Sequence, residues 1–148
     1  MKKKYLLPIL TSSLIFTTTN CKKINEDRET ALLLGDWKIT DVGGDLADAD
    51  VFSDDSYDVV FEFKASGDFH FEMIEDDSYL YGVVGVWKWS DNSFTQVEMN
   101  FSGEDTNVKM TLSIDLLDGD NITGDLEYGY DSDKYNGSVE LEKINKEK

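Results

Sequence analysis

Side chains suited to nucleophilic or metal chemistry are scarce in this chain, which has one cysteine, Cys21, and one histidine, His70. A single cysteine excludes an internal disulfide and a site built from several thiolates. A single histidine excludes a zinc site built from several imidazoles. A catalytic triad needs histidine beside its nucleophile, and His70 lies on the polar side of its predicted strand, where we expect a surface residue. No glycine-rich phosphate loop precedes a helix. We therefore predict no enzyme and no metal or other cofactor.

Acidic side chains are abundant, with 31 Asp and Glu against 14 Lys and Arg, for a net charge of −17. This charge argues against binding to nucleic acid, because no basic surface can replace the counterions of phosphates. The loops could offer oxygens to calcium, but Asp118–Thr123 lacks two required positions of an EF-hand loop. We expect a solvated acidic rim, with calcium binding as the alternative. The loop acids are Asp45, Asp48, Asp50, Asp54, Asp55, Glu75, Asp76, Asp77, Glu104, Asp105, Asp118, Asp120, Asp131 and Asp133.

The remaining candidates for a functional site are outward-facing glutamates and inward-facing aromatic residues. Glu62, Glu72 and Glu98 alternate outward, which is a poor place for the acid–base pair of a glycoside hydrolase. Large aromatic side chains at inward positions could line an apolar ligand pocket or could simply fill the interior. A continuous apolar cavity of roughly 300 Å³ or more, open near residues 43–56, would support ligand binding. The candidate ligand-binding residues are Trp37, Phe61, Phe63, Phe69, Phe71, Trp87, Trp89, Phe101 and Tyr128.

The elements that position these residues follow from a period of two that begins near Gly35. Short turns join most segments, and one-sided patterning indicates a single core. Eight antiparallel strands remove their edges by closing, so we predict an all-β, eight-stranded antiparallel up-and-down barrel. A two-sheet sandwich is the alternative. The 14-residue link 43–56 suits a lid over the barrel mouth. The predicted strands are 36–42, 57–64, 68–75, 79–90, 94–102, 107–117, 122–130 and 135–143.

The N-terminal residues have the order of a secretory signal: Lys2, Lys3 and Lys4 precede the short apolar stretch 5–16, and Cys21 follows. The stretch is shorter than the about 20 apolar residues that span a bilayer. We predict a signal peptide over 1–20, Cys21 and a polar tether over 21–34, with a helical turn near Glu29–Leu34, and the barrel over 35–148. Removing 1–20 takes away three lysines and no acids, which leaves 11 basic and 31 acidic side chains.

Residues 2–21 resemble the signals of bacterial lipoproteins, whose cysteine is acylated and becomes the first residue. Thr18 and Asn20 stand where the usual lipobox has leucine and a small residue, and the looser lipoboxes of Bacteroidetes accommodate them. The resemblance implies lipidation of Cys21 with fatty acyl chains such as palmitate. Lys22, rather than Asp, follows the cysteine, which implies an outer-membrane anchor in the cell envelope. An ordinary cleaved signal with a chance cysteine is the alternative.

The barrel region resembles lipocalins and the lipocalin-like (calycin) lipoproteins of Bacteroidetes. The resemblance rests on Leu34-Gly35-Asp36-Trp37, on Gly85-Val86-Trp87-Lys88-Trp89, and on Phe61-x-Phe63 followed by Gly67-x-Phe69. It implies an up-and-down barrel that binds a small apolar molecule or has no known ligand. Lipocalins also stack a last-strand arginine on the first-strand tryptophan. Here the one arginine, Arg28, precedes the barrel, and Lys143 is the residue that could take its place.

We therefore expect a monomeric, membrane-anchored, lipocalin-like lipoprotein that binds a small apolar ligand in its barrel. The alternative is a filled barrel that acts as an envelope interaction or inhibitor protein. In that case the acidic rim would meet a protein partner by charge.

Overall fold

The structure is a computed structural model that describes residues 17–76, 78–101, 108–130 and 132–145, with side chains from Cys21 onward. Residues 1–16 of the predicted signal peptide lie outside the described residues. So do Ser102 and Asn107, at the ends of two predicted strands, and the predicted loop acids Asp77, Glu104, Asp105 and Asp131.

The strands form a closed antiparallel barrel in sequence order, in which β8 returns to pair with β1. The predicted all-β up-and-down barrel is confirmed, and each predicted strand boundary lies within two residues of the observed one. No helix of the described chain is both long and apolar enough to span a membrane. The elements are α1 Thr17–Leu33, β1 Gly35–Val42, a 3-10 helix Gly44–Asp48, α2 Asp50–Ser53, β2 Asp58–Phe63, β3 Asp68–Glu75, β4 Ser78–Trp89, β5 Gln96–Phe101, β6 Val108–Leu117, β7 Asn121–Tyr130 and β8 Asp133–Ile144.

Strand register places alternate residues inside and outside the barrel. In the β2–β3 hairpin, Phe61 pairs with Phe71 and faces the interior, whereas Glu62 pairs with His70 and faces outward. The same alternation on the other strands builds one apolar core, because side chains along a strand point to opposite faces in turn. The core comprises Leu33, Trp37, Leu46, Val59, Phe61, Phe63, Phe69, Phe71, Val97, Met99, Met110, Leu112, Ile122, Leu126, Val139 and Leu141.

The C-terminal end of α1 closes one end of the barrel, called here the helix end. Leu33 is fully buried in the core. The indole N–H of Trp37 donates to the Leu33 carbonyl at 2.7 Å, and the Lys143 ammonium donates to the Leu32 carbonyl at 3.2 Å. These bonds satisfy carbonyls that the end of a helix leaves without intrahelical partners. Lys143 Nζ also lies 4.9 Å from the centre of the Trp37 ring, which is a cation–π contact between the last and the first strand.

Helix α1 is longer than the single helical turn expected near Glu29–Leu34. It extends over Thr17–Leu33 and places Cys21 in its first half. The full length of the helix is not predicted from the sequence, because its mixed charged composition gives no apolar stripe. Its stability comes instead from the contacts between its C-terminal end and the barrel.

The opposite end, called here the mouth, is covered by the segment between β1 and β2. Leu46 and Ala49 of this lid are buried, which confirms that the 43–56 link folds over the barrel. Gly43 donates its amide to the Ser138 carbonyl at 2.9 Å. Gly137 of β8 faces this contact, and a Cβ there would collide with the Gly43 carbonyl oxygen. The absence of a side chain at Gly137 therefore lets the lid seat on β8.

We predict that Gly137→Ala destabilises the fold by roughly 3 kcal/mol or more, because the clash is with backbone that must shift. Gly129→Ala is the matched control on β7, since its nearest heavy atom would lie 3.6 Å from the added Cβ. Urea unfolding followed by tryptophan fluorescence measures both. Equal midpoints for the two variants would contradict this role for Gly137.

Candidate functional site

The mouth contains an apolar cavity of about 150 Å³ between the lid and strands β3 to β7. Three of the nine aromatic candidates, Phe71, Phe101 and Tyr128, line it. Aliphatic and thioether side chains supply most of the remaining wall, and Tyr81 and Tyr130 bring phenol groups to the rim. The other lining residues are Val51, Met73, Val83, Val108 and Met110.

The lid forms one side of this cavity. Phe52 of α2 packs edge-on against Tyr128 at a centroid distance of 5.6 Å and against Phe71 at 6.4 Å. Val51 lines the cavity directly. The Tyr57 hydroxyl donates to the carbonyls of Asp50 and Val51, which fixes α2 to the start of β2. Phe52 therefore supports two residues of the cavity wall, Phe71 and Tyr128, from the lid.

The middle of the barrel is filled by aromatic packing. Phe61 and Phe69 are fully buried and meet edge to face at 5.4 Å, and Phe63 contacts Phe69 at 5.1 Å. Such pairs contribute about 0.5–1.5 kcal/mol each beyond their buried area. These three ligand-binding candidates lie in the packed core, below the cavity.

The three tryptophans lie at the helix end, where their indole N–H groups hold connections in place. Trp37 donates to α1, as described above. Trp87 donates to the Lys64 carbonyl in the β2–β3 turn at 2.9 Å, and Trp89 donates to the Thr30 hydroxyl of α1 at 3.0 Å. The structure therefore places Trp37, Trp87 and Trp89 far along the barrel from the mouth cavity and beside the elements that close it.

Tyr128 is a cavity residue whose pKa is changed by its surroundings. Burial raises its pKa above the ordinary 10.0, and the neighbouring phenols of Tyr130, Tyr135 and Tyr81 raise it further. Tyr128 and Tyr135 also stack at 6.1 Å. A neutral phenol that faces an apolar cavity can donate or accept one hydrogen bond to a ligand while it resists ionisation.

Several loop acids hold turns together through hydrogen bonds from backbone amides. The Asp118 carboxylate accepts from the amides of Asp120 and Asn121 at 3.0 and 2.8 Å, and these bonds lower its pKa. Hydrogen bonds from Ser56 likewise lower the pKa of Asp54. Asp91 accepts from two backbone amides of the β4–β5 loop. These acids therefore shape the rim that the sequence predicts, and calcium binding stays an untested alternative.

An open groove of about 480 Å³ lies outside the barrel, between the end of β1 and the lid. Asp54, Asp55 and Asp58 line it together with Lys38, whose ammonium lies 2.8 Å from an Asp58 carboxylate oxygen. The ion pair spans β1 and β2 where their backbone pairing ends. The groove is polar and belongs to the acidic rim.

The outer wall of the β2–β3 hairpin carries a group formed by Glu62, His70 and Glu72. His70 Nδ1 lies 3.1 Å from a Glu62 carboxylate oxygen and 3.9 Å from a Glu72 oxygen. All three side chains are partly buried. The signal was present in the sequence, because the short link between the predicted strands 57–64 and 68–75 already brings Glu62 opposite His70.

No family model matches the chain, and no curated protein is significantly similar to it in sequence. The functional assignment therefore depends on the barrel and its sites.

We predict that Tyr128→Phe removes absorbance change from the part of the tyrosinate titration above about pH 10. Because the folded state holds this proton more tightly than the unfolded state, stability is fully present below about pH 10 and falls as pH rises above it. The variant should lose stability less steeply there in denaturant unfolding. Tyr57→Phe is the comparison variant for the loss of a tyrosine outside the cavity. Burial raises the pKa of Tyr57 as well. Loss of amplitude near pH 10, and not above it, would contradict the assignment.

Proposed function

We propose that the chain is a membrane-anchored, lipocalin-like lipoprotein that binds a small, neutral, apolar molecule at the barrel mouth. The supporting observation is the apolar cavity of about 150 Å³ under the lid, which is smaller than the roughly 300 Å³ expected from the sequence and therefore restricts the ligand to a small one. An apolar cavity of about this volume in a protein core can hold benzene or xenon. A ligand of about that size fits the present conformation.

The cavity chemistry selects the ligand class. Its walls are mostly valine, methionine and phenylalanine, which favour an apolar body. The phenol groups of Tyr81, Tyr128 and Tyr130 at the rim offer hydrogen bonds to one polar end. The net charge of −17 disfavours an anionic ligand by long-range repulsion. A small aromatic or aliphatic molecule with one uncharged polar group matches all three features.

The position of α1 supports an anchored arrangement with an accessible mouth. Cys21 is exposed, and the neighbouring Lys22 ammonium contacts the Asn92 amide oxygen at 2.7 Å in the β4–β5 loop. That loop belongs to the helix end of the barrel. Acyl chains on Cys21 would therefore hold the helix end near the outer membrane and leave the mouth pointing away from it. Each buried CH₂ contributes about 0.8 kcal/mol, so two or more chains anchor durably.

Indole is a suitable probe for the cavity, and we expect it to shift the NMR signals of Val83, Met73 and Met110 methyl groups in the purified protein. Val83→Phe should abolish these shifts, because Val83 projects from β4 into the cavity. Phe52→Ala should strengthen binding by enlarging the site. Val84→Phe is the matched control, since Val84 is the next residue on the strand and is 53% exposed on the outer wall.

Two results would overturn ligand binding at the mouth. One is the absence of any shift in the wild-type protein and in Phe52→Ala at millimolar indole. The other is equal binding by Val83→Phe and Val84→Phe, which would place indole elsewhere on the surface.

For the anchor, we predict that Cys21→Ser moves the protein from the membrane fraction to the soluble fraction of the producing bacterium. The serine hydroxyl preserves size but provides no thiol for acylation. Mass spectrometry of the wild-type N-terminal peptide should show the acyl chains. Unchanged membrane fractionation of the variant would rule out anchoring through Cys21.

A second candidate function is supported by a different surface. Leu80, Val84 and Val86 of β4 are 48%, 53% and 55% exposed, and Val84 and Val86 pair with His70 and Asp68 of β3. Exposed apolar side chains beside charged residues are typical of protein interaction sites. If indole finds no site in the mouth, an envelope interaction protein with a filled barrel becomes the better reading, and its partner would meet β4 and the rim.

A further inference from the structure

We propose that Glu62, His70 and Glu72 form a binding site for a divalent transition-metal ion, with Zn²⁺ as the representative ion. The site lies on the outer wall of the β2–β3 hairpin and is separate from the mouth cavity. Its three candidate ligand atoms, one imidazole nitrogen and two carboxylate oxygens, all lie within 4.8 Å of one another.

The strands hold the three side chains in a fixed arrangement. Glu62 and His70 are direct cross-strand partners, and Glu72 follows His70 by two residues on the same face of β3. Neighbouring positions on one face of a sheet bring side chains close enough to share a ligand. The closed barrel prevents the hairpin from shifting, so assembly of the site requires only side-chain rotation.

The present distances are close to those a metal ion requires. Zinc binds imidazole nitrogen and carboxylate oxygen at about 2.0–2.2 Å, which places tetrahedral ligand atoms about 3.3 Å apart. His70 Nδ1 lies 3.1 Å from Glu62 and 3.9 Å from Glu72, so small rotations suffice. Three protein ligands leave a coordination position for water, as in open zinc sites. Calcium and magnesium fit less well, because they require more oxygen ligands than this group supplies.

The Lys64 ammonium competes for a ligand atom of the site, and neighbouring residues shield the carboxylates from solvent. The Lys64 ammonium lies 3.5 Å from the Glu62 oxygen that also contacts His70, and its side chain is 38% exposed. An arriving metal ion would displace this mobile ammonium toward solvent. Gly82 lies opposite Glu72 and leaves room beside it, and the Tyr79 hydroxyl occupies part of that room. The ligand carboxylates are therefore less exposed than those of the rim.

The single histidine makes the test direct. Zinc chloride is titrated into the purified full chain by calorimetry, and the imidazole nitrogen signals are followed by NMR. We expect one saturable site and a large shift of the His70 Nδ1 signal. His70→Gln, Glu62→Gln and Glu72→Gln should each weaken binding at least about tenfold. Lys64→Gln should tighten it severalfold by removing the competing charge.

A matched control separates this site from the general acidity of the chain. Glu98→Gln removes another outward glutamate, paired with Lys88 at 3.3 Å on β4 and β5, and should leave zinc affinity unchanged. The proposal fails if zinc leaves the His70 signals unchanged at saturation, if His70→Gln binds as tightly as the wild type, or if no binding occurs at millimolar zinc. The NMR result on the wild-type protein decides even if a variant misfolds. None of these outcomes bears on ligand binding at the mouth.

Discussion

The contact between the last turn of α1 and the pair Trp37 and Lys143 is the constraint on which the barrel depends. Without this contact, the helix end of the barrel would expose its apolar interior, and the last carbonyls of α1 would lack hydrogen-bond partners. Trp37 and Lys143 satisfy the carbonyls of Leu33 and Leu32, and Leu33 fills the opening. A lysine at a helix C-terminus also interacts favourably with the helix dipole, by about 0.3–1 kcal/mol. Gly35 has a φ of +126°, and its missing Cβ leaves space for the Lys143 stem.

This closure gives the two ends of the barrel different chemistry. Trp87 and Trp89 join Trp37 at the helix end, and each uses its indole N–H to fix a connecting segment. The mouth instead carries phenylalanine and tyrosine beneath a short lid whose Phe52 contacts two cavity residues. The apolar cavity therefore lies at the end that the lid covers. An anchor at Cys21 and an opening at the mouth are compatible because they lie at opposite ends.

The strands and their closure are predictable from the sequence because alternation in β2, β3 and β6 is nearly uninterrupted, and the turns at Gly67 and Asp118–Asn121 have clear chemistry. The division of the aromatic residues is not predictable in the same way. Parity places Phe63 and Phe71 on the same side of their strands, but only packing decides that one fills the core and the other lines a cavity. Helix α1 is also hidden from periodicity, because its stabilising contacts are with Trp37, Trp89 and Lys143, far away in the chain.

The β2–β3 hairpin links the interior to the outer wall. The register that turns Phe61 and Phe71 toward the interior also turns Glu62, His70 and Glu72 outward. Gly67, with a φ of +89°, sets the turn that fixes this register. A slip of one residue in the strand pairing would expose the phenylalanines and bury the three proposed metal ligands. Burial of the core therefore strongly disfavours such a slip. The energy that packs the aromatic core therefore also holds the outer carboxylates and imidazole together. The fixed register thus gives Glu62, His70 and Glu72, on the outer wall, the positional precision that a metal ion requires.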